Sequence, residues 1–108
     1  MKWVKGRQET GYERLTLIQG GFLPFDLHIL RYRPGDHIPP HTDPVESERH
    51  YRLNIILTKA HGGEFHGTTI FETKRIKFFR PDIMEHSVTE VTHGTRYVLS
   101  IGWVLPEA

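Results

Sequence analysis

Proline and glycine interrupt this chain so often that no long helix fits between them. Arg33-Pro34-Gly35-Asp36, Pro39-Pro40, His61-Gly62-Gly63, Arg80-Pro81-Asp82 and His93-Gly94-Thr95 divide it into short runs, and each is a combination that turns the backbone. The runs between them are rich in Val, Ile, Leu, Thr, Phe and Tyr, several of them β-branched or aromatic residues that pack well on a pleated surface. The pattern predicts strands over 12–18, 25–33, 36–42, 50–58, 63–66, 68–73, 75–80, 85–91 and 95–104. No segment carries a helical period. Closely spaced antiparallel strands with no long helix fit an all-β sandwich or jelly roll, which hides most of its edges in two packed sheets.

With 108 residues there is room for one hydrophobic core and no second catalytic module. No repeat or linker-like shift in composition divides the chain, so 1–108 reads as a single domain. A net charge of +1 gives no reason to expect a nucleic-acid or membrane partner. The absence of cysteine excludes disulfides and thiolate metal sites, and any metal here must sit on nitrogen and oxygen. No apolar run approaches the length of a membrane span. A cytoplasmic protein is the expectation.

Alternation along the strands assigns faces. If Arg96 points inward, so do Val98, Ser100 and Gly102, and the apolar set Tyr97, Leu99, Ile101 and Trp103 points outward. In the 50–58 run, Arg52, Asn54 and Ile56 share the inner face, and Leu53, Ile55 and Leu57 the outer one. An apolar outer face of that extent calls for a cover. The candidates are residues 1–24, with Trp3, Tyr12, Leu15, Leu17 and Phe22, or a second copy of the chain, making a homodimer.

The chemistry gathers at His41-Thr42-Asp43, His86 and Arg96. His41 and Asp43, at i and i+2, project from one face of a strand and can reach one metal. His86, from another strand, would complete a facial triad of two imidazoles and a carboxylate, which leaves the opposite coordination positions open. A hairpin across His93-Gly94 would set Arg96 deeper in the barrel than the metal, where a guanidinium can anchor the far end of a dicarboxylate. Each fragment is common by itself: eight His and four Asp in a chain this long yield about 0.3 His-x-Asp pairs by chance. Order and strand-end context make the combination informative.

That combination resembles the Fe(II)/2-oxoglutarate-dependent oxygenases, in particular their prolyl-4-hydroxylase-like branch. The resemblance covers about Phe25 to Val104. It rests on Tyr32-Arg33-Pro34-Gly35 leading into His41-Thr42-Asp43, on Gly62-Gly63-Glu64-Phe65, and on Pro81-x4-His86-x-Val88-x2-Val91-x2-Gly94-x-Arg96. It implies a double-stranded β-helix, a cupin-like jelly roll near its minimal size, with a core at 25–104 and a covering segment at 1–24. It also implies Fe(II) held by His41, Asp43 and His86, with Arg96 on the distal carboxylate of 2-oxoglutarate. Tyr32 and Asn54 would make further cosubstrate contacts, and O2 would be consumed with release of succinate and CO2 as a prime substrate is hydroxylated. Ser100 and Arg52 face the same interior, and either can be structural. The loop Pro44 to Arg49 occupies a lid position in relatives. Gly102 stands where nucleic-acid demethylases of the superfamily usually carry a second Arg, which favours a protein side chain or a small molecule as substrate.

Two alternatives stay open. One is a cupin-like metal-dependent isomerase or dioxygenase that does not use 2-oxoglutarate, although cupins usually carry His-x-His with a later Glu. The other is a non-catalytic jelly roll that binds a metal or ligand. His28, His37, His50, His61, His66 and His93 have no ligand context, and the basic set Lys74, Arg75, Lys77 and Arg80 reads as a solvated strand.

Overall fold

The computed structural model describes residues 3–5, 11–18, 25–43, 48–58 and 60–106, apart from the side chains of Glu48 and Pro106. Positions 44–47 of the expected lid, and much of 1–24 including Phe22, lie outside them.

Among the described residues there are twelve strands and no helix. They are β1 (Trp3–Lys5), β2 (Glu13–Ile18), β3 (Phe25–Tyr32), β4 (Ile38–His41), β5 (Glu48–Ile56) and β6 (His61–Gly62), followed by β7 (Phe65–Gly67), β8 (Phe71–Glu72), β9 (Ile76–Phe79), β10 (His86–Val88), β11 (Val91–His93) and β12 (Arg96–Pro106). A seven-stranded sheet runs β1-β2-β3-β12-β5-β9-β8, a second sheet runs β4-β10-β7, and β11 pairs with β6. Every pairing is antiparallel. The fold is an all-β, cupin-like jelly roll. No helix among the described residues is long and apolar enough to cross a membrane.

Alternation follows the sequence pattern. Val98, Ser100 and Gly102 are buried on the inner face of β12, and Tyr97, Leu99, Ile101 and Trp103 stay half-buried outside. The apolar core lies between the sheets, where Tyr12, Tyr32, Ile38, Val91 and Val98 pack with Leu30, Ile56, Ala60 and Val88. Tyr12 stacks on Tyr32 with ring centroids 5.2 Å apart.

Two expectations need correction. The hairpin joining the strands of His86 and Arg96 does not form, because the 85–91 run breaks at Thr89-Glu90. There the Thr89 amide donates to the Glu64 carbonyl at 2.9 Å and the Thr89 hydroxyl accepts from the Glu64 amide at 2.9 Å. A side chain thus takes a place in the ladder, and β10 and β12 fall in different sheets. The second correction concerns the N-terminal segment: β1 and β2 extend the large sheet as its edge and do not lie across its outer face. Trp3 is the partial exception, 6.4 Å from the Tyr97 ring and 4.1 Å beneath the Arg31 guanidinium.

Two turns position the site. Arg33-Pro34-Gly35-Asp36 is closed by the Asp36 amide on the Arg33 carbonyl at 2.9 Å, with Gly35 at φ +95°, a conformation that suits glycine. It sends the chain from β3 in the large sheet to β4 in the small one. The Arg80–Met84 turn closes with the Met84 amide on the Arg80 carbonyl at 2.8 Å. Its Pro81 carbonyl also accepts the Asp43 amide at 2.6 Å, so one turn braces Asp43 and leads directly into His86.

Candidate metal centre

His41 ends β4, His86 opens β10, and the two residues pair across the antiparallel ladder. Their rings lie 4.3 Å apart. Asp43, two residues past His41, brings Oδ2 to 3.6 Å from Nε2 of both imidazoles. One donor atom from each residue falls within 4.8 Å of the other two. Octahedral donors about 2.1 Å from a metal are roughly 3 Å apart in cis positions, and the two Asp43–imidazole separations of 3.6 Å are close to that spacing.

Both imidazoles are held in the orientation that a ligand needs. His41 Nδ1 is 2.7 Å from the Pro39 carbonyl oxygen and His86 Nδ1 is 3.0 Å from that of Met84. A carbonyl can only accept, so each Nδ1 carries a proton and each ring turns its Nε2, the atom left to ligate a metal, toward Asp43. His86 is buried and walled by Phe79 and Phe65, with ring centroids at 5.1 and 6.3 Å. The donor set fits a divalent metal with open coordination positions.

The cluster lines a cavity of about 320 Å³ that Tyr32, Asn54, Ser100, Arg52 and Arg14 also line. Its far wall is a polar network crossing the large sheet. Arg52 donates to Asp26 at 2.8 Å and to Ser100 Oγ at 2.6 Å, and Ser100 donates to Asn54 Oδ1 at 2.6 Å. His28 bridges Thr16 at 3.0 Å and Asp26 at 3.2 Å. Burial opposes ionisation of Asp26, but the bond from His28 and the charge and bond of Arg52 outweigh it and hold the carboxyl at about 2. Burial and Arg52 together push His50 below its usual value. A methyl group at Gly102 would collide with the Arg52 guanidinium, so Arg52 fills the space above that glycine.

Arg96 lies apart from this cavity. It borders a gap of about 20 Å³, room for about one water, that shares Tyr32, Asn54, Phe65 and Val88 with the metal-site cavity, and it also lines a separate open cavity of about 720 Å³ with Ile56, Glu64, Phe65 and His93. Its Nη2 donates to the Gly62 carbonyl at 3.2 Å, and its buried Nε has no partner. Burial pulls the Arg96 pKa down, against the partial opposition of Tyr32 and Glu64. Tyr32 is almost fully buried, and that burial drives its phenol well above its usual range. Tyr32 and Asn54 therefore stand at the boundary between the metal cluster and Arg96.

Sequence reasoning gave no role to Arg14, Asp26, His28 and Thr16. Alternation along 12–18 and 25–32 would have placed all four on the inner face once the first segment was taken as strands of the sheet.

No protein-family model matches the chain, and no curated protein matches it. Among solved structures it is similar to a chain from the crystal structure of Rhodobacter sphaeroides SigE in complex with the anti-sigma ChrR. The two share 18% sequence identity at a TM-score of 0.59, over 95% of this chain and 48% of that one. This chain thus spans about half the length of its structural neighbour, and the likeness is one of fold. Fold and site together define a cupin-like jelly roll carrying a His-Asp-His cluster able to hold a metal.

Proposed function

We propose that this protein is an Fe(II)- and 2-oxoglutarate-dependent oxygenase that hydroxylates a protein side chain or a small molecule, releasing succinate and CO2. The observation that carries the reading is the convergence of two carbonyl-tethered imidazoles on one Asp43 oxygen at the wall of a cavity. Fe(II), when bound, would supply activation of O2 coupled to decarboxylation of the 2-oxo acid. The chain's own contribution is positional. His41, Asp43 and His86 would hold the metal and leave coordination positions for other ligands.

Arg96 supports the cosubstrate assignment, because a half-buried guanidinium with a buried, unpartnered Nε gains by donating to a carboxylate. Tyr32 and Asn54 would guide the carbon chain between metal and cation, and the Tyr32 phenol stays protonated as a donor. The gap between Arg96 and the metal-site cavity holds about one water, so a dicarboxylate spanning the two would require that boundary to open. Phe65 and Phe79 keep water from the His86 side. With no cysteine to require oxidation, a cytoplasmic setting suits the reading.

A second reading keeps the metal and replaces the chemistry with protein binding. It is favoured by the half-buried apolar outer face of the large sheet and by a structural neighbour from a complex between two proteins. A homodimer through that face is compatible with either reading.

One experiment separates them. Anaerobic titration of the metal-free protein with Fe(II) and 2-oxoglutarate should give the visible charge-transfer band of a chelated 2-oxo acid, and Arg96→Ala should lose it at the same concentrations. Tight Fe(II) binding with no band at any concentration would remove the cosubstrate and leave a cupin-like or binding role.

A further inference from the structure

Two of the three arginines at the interior are accounted for. Arg52 is held by Asp26 and Ser100, and Arg96 lies beyond Tyr32 and Asn54, outside the cavity of the metal cluster. Arg14 differs from both. It sits in β2 between Tyr12 and Thr16, pairs with Leu30 across the sheet, and lines the same cavity as His41, Asp43 and His86. Its Nε is buried without a hydrogen-bond partner, and no carboxylate among the described residues lies within 4 Å of its guanidinium.

We propose that Arg14 is the recognition point for an anionic group on the prime substrate, a small organic anion bearing a carboxylate or a phosphate. The inference rests on the metal and cosubstrate reading above, since it assigns the second ligand of that cavity. A guanidinium stays charged at any working pH, and a half-buried one whose Nε is sealed from water without a partner gains from an anion. The cavity's own acids cannot fill the role. Asp26 is committed to Arg52 and His28, and Asp43 lies between the two imidazoles, where the metal offsets its charge. Thr16 Oγ1 is taken up by His28. Once the metal is bound, Arg14 is the lining charge that nothing in the cavity balances. A volume of about 320 Å³ is at the small end of ligand pockets, which limits the occupant to a small molecule or a single side chain. The planar fork of Arg14 suits a carboxylate or phosphate in bidentate geometry.

The test uses the full chain saturated with Zn(II), a redox-inert stand-in, and with 2-oxoglutarate. Methyl phosphate or acetate is titrated in while the Arg14 Nε–H resonance is followed by NMR, and the two anions tell phosphate from carboxylate. The proposal expects a saturable shift with at least one of them. It also expects affinity to fall about tenfold or more in Arg14→Gln, to recover partly in Arg14→Lys, and to stay unchanged in Lys74→Gln, which removes an exposed cation outside the cavity. Metal affinity in Arg14→Gln should equal that of the parent, showing an intact fold. An Arg14 signal that neither anion moves, or binding that survives Arg14→Gln, overturns it. So does a response that 2-oxoglutarate abolishes, because Arg14 would then serve the cosubstrate. If the Fe(II) charge-transfer band is absent but Arg14 still responds, the oxygenase reading fails and the anion site stands. If the band forms and Arg14 stays silent, the anion site fails and the oxygenase reading stands.

Discussion

His41 and His86 face each other across the β4–β10 ladder, and each gives its Nδ1 proton to the backbone carbonyl two residues earlier, that of Pro39 and that of Met84. The same local device on two strands fixes the tautomer of both rings, and antiparallel pairing then aims both Nε2 atoms at one Asp43 oxygen. Two imidazole nitrogens and a carboxylate oxygen turned toward one another are a donor set that a divalent metal takes. The backbone has already met the orientational cost of a metal ligand.

Removing either ring should therefore show first in metal binding. His41→Ala and His86→Ala are each expected to lower Fe(II) affinity by about 100-fold or more, exceeding the effect typical of outer-shell partners. The two variants should differ in stability. His86 is buried against Phe65 and Phe79, so its loss leaves a cavity costing about 1–3 kcal/mol, whereas the less buried His41 should cost less. Metal titration and thermal unfolding measure the two effects separately, and parental affinity in either variant would dismiss the cluster as a metal centre.

Gly63 offers a way to move Arg96 without replacing it. An added Cβ would lie 2.7 Å from Val91 Cγ2 and 2.8 Å from Arg96 Nε, at a backbone φ of +66°. Gly63→Ala is expected to cost about 1–3 kcal/mol from backbone strain and overpacking together. It should weaken 2-oxoglutarate binding and leave Fe(II) affinity intact. Gly35→Ala is the matched control, since that glycine has φ +95° but nothing within 4 Å of the added methyl. It should lose stability without losing the cosubstrate, and equal behaviour of the two variants would break the link to Arg96.

How much of this was legible in the sequence depends on the range of the interaction. Turn chemistry and period-2 alternation are local, so the strands of the jelly roll and the inner face of β12 could be read directly. His41 and Asp43 share a strand end and were equally local, and His86 was reachable because Pro81 opens the turn that delivers it. The partner of β10 was not legible, because strand pairing is a long-range choice and the Thr89–Glu64 bonds that end the 85–91 run join distant residues. For the same reason the Asp26–Arg52–Ser100–Asn54 chain, drawn from three strands, could not be assembled from spacing. Arg14 escaped because residues 1–24 were expected to form a cover, so their alternation was never used to assign an inner face.

The Asp26–Arg52 pair predicts acid sensitivity of known sign. Asp26 titrates at about 2, below its ordinary 3.8, so the pair's contribution is fully present above the unfolded value and is lost as pH falls toward the folded one. The difference corresponds to about 2 kcal/mol. Asp26→Asn should lose about that much or more near neutral pH, because Arg52 is left buried without its counter-ion. The difference should shrink below about pH 4, and the variant and the parent should converge below about pH 2. Denaturant unfolding across this range tests it, and a difference that widens as pH falls would contradict the assignment.

The outer face of the large sheet yields a prediction about assembly. Register places Leu15, Ile29, Leu99, Ile55 and Ile76 in one row across five strands, and Leu27, Ile101, Leu53, Phe78 and Phe71 in a neighbouring row. None of these is fully buried, and Phe71 is 58% exposed. Since β1 and β2 extend the sheet instead of covering it, this face keeps an apolar area that a second copy could bury. The expected behaviour is a concentration-dependent homodimer. Ile101→Lys, near the middle of the two rows, should place an unpaired charge in the interface and cost about 2–4 kcal/mol, weakening association by roughly 30- to 1000-fold. Light scattering coupled to size exclusion reads the result, with anaerobic Fe(II) binding as the check that the barrel stays folded. A parent that remains monomeric at every concentration would leave this face without a homodimer, and would turn attention to a different protein as its cover.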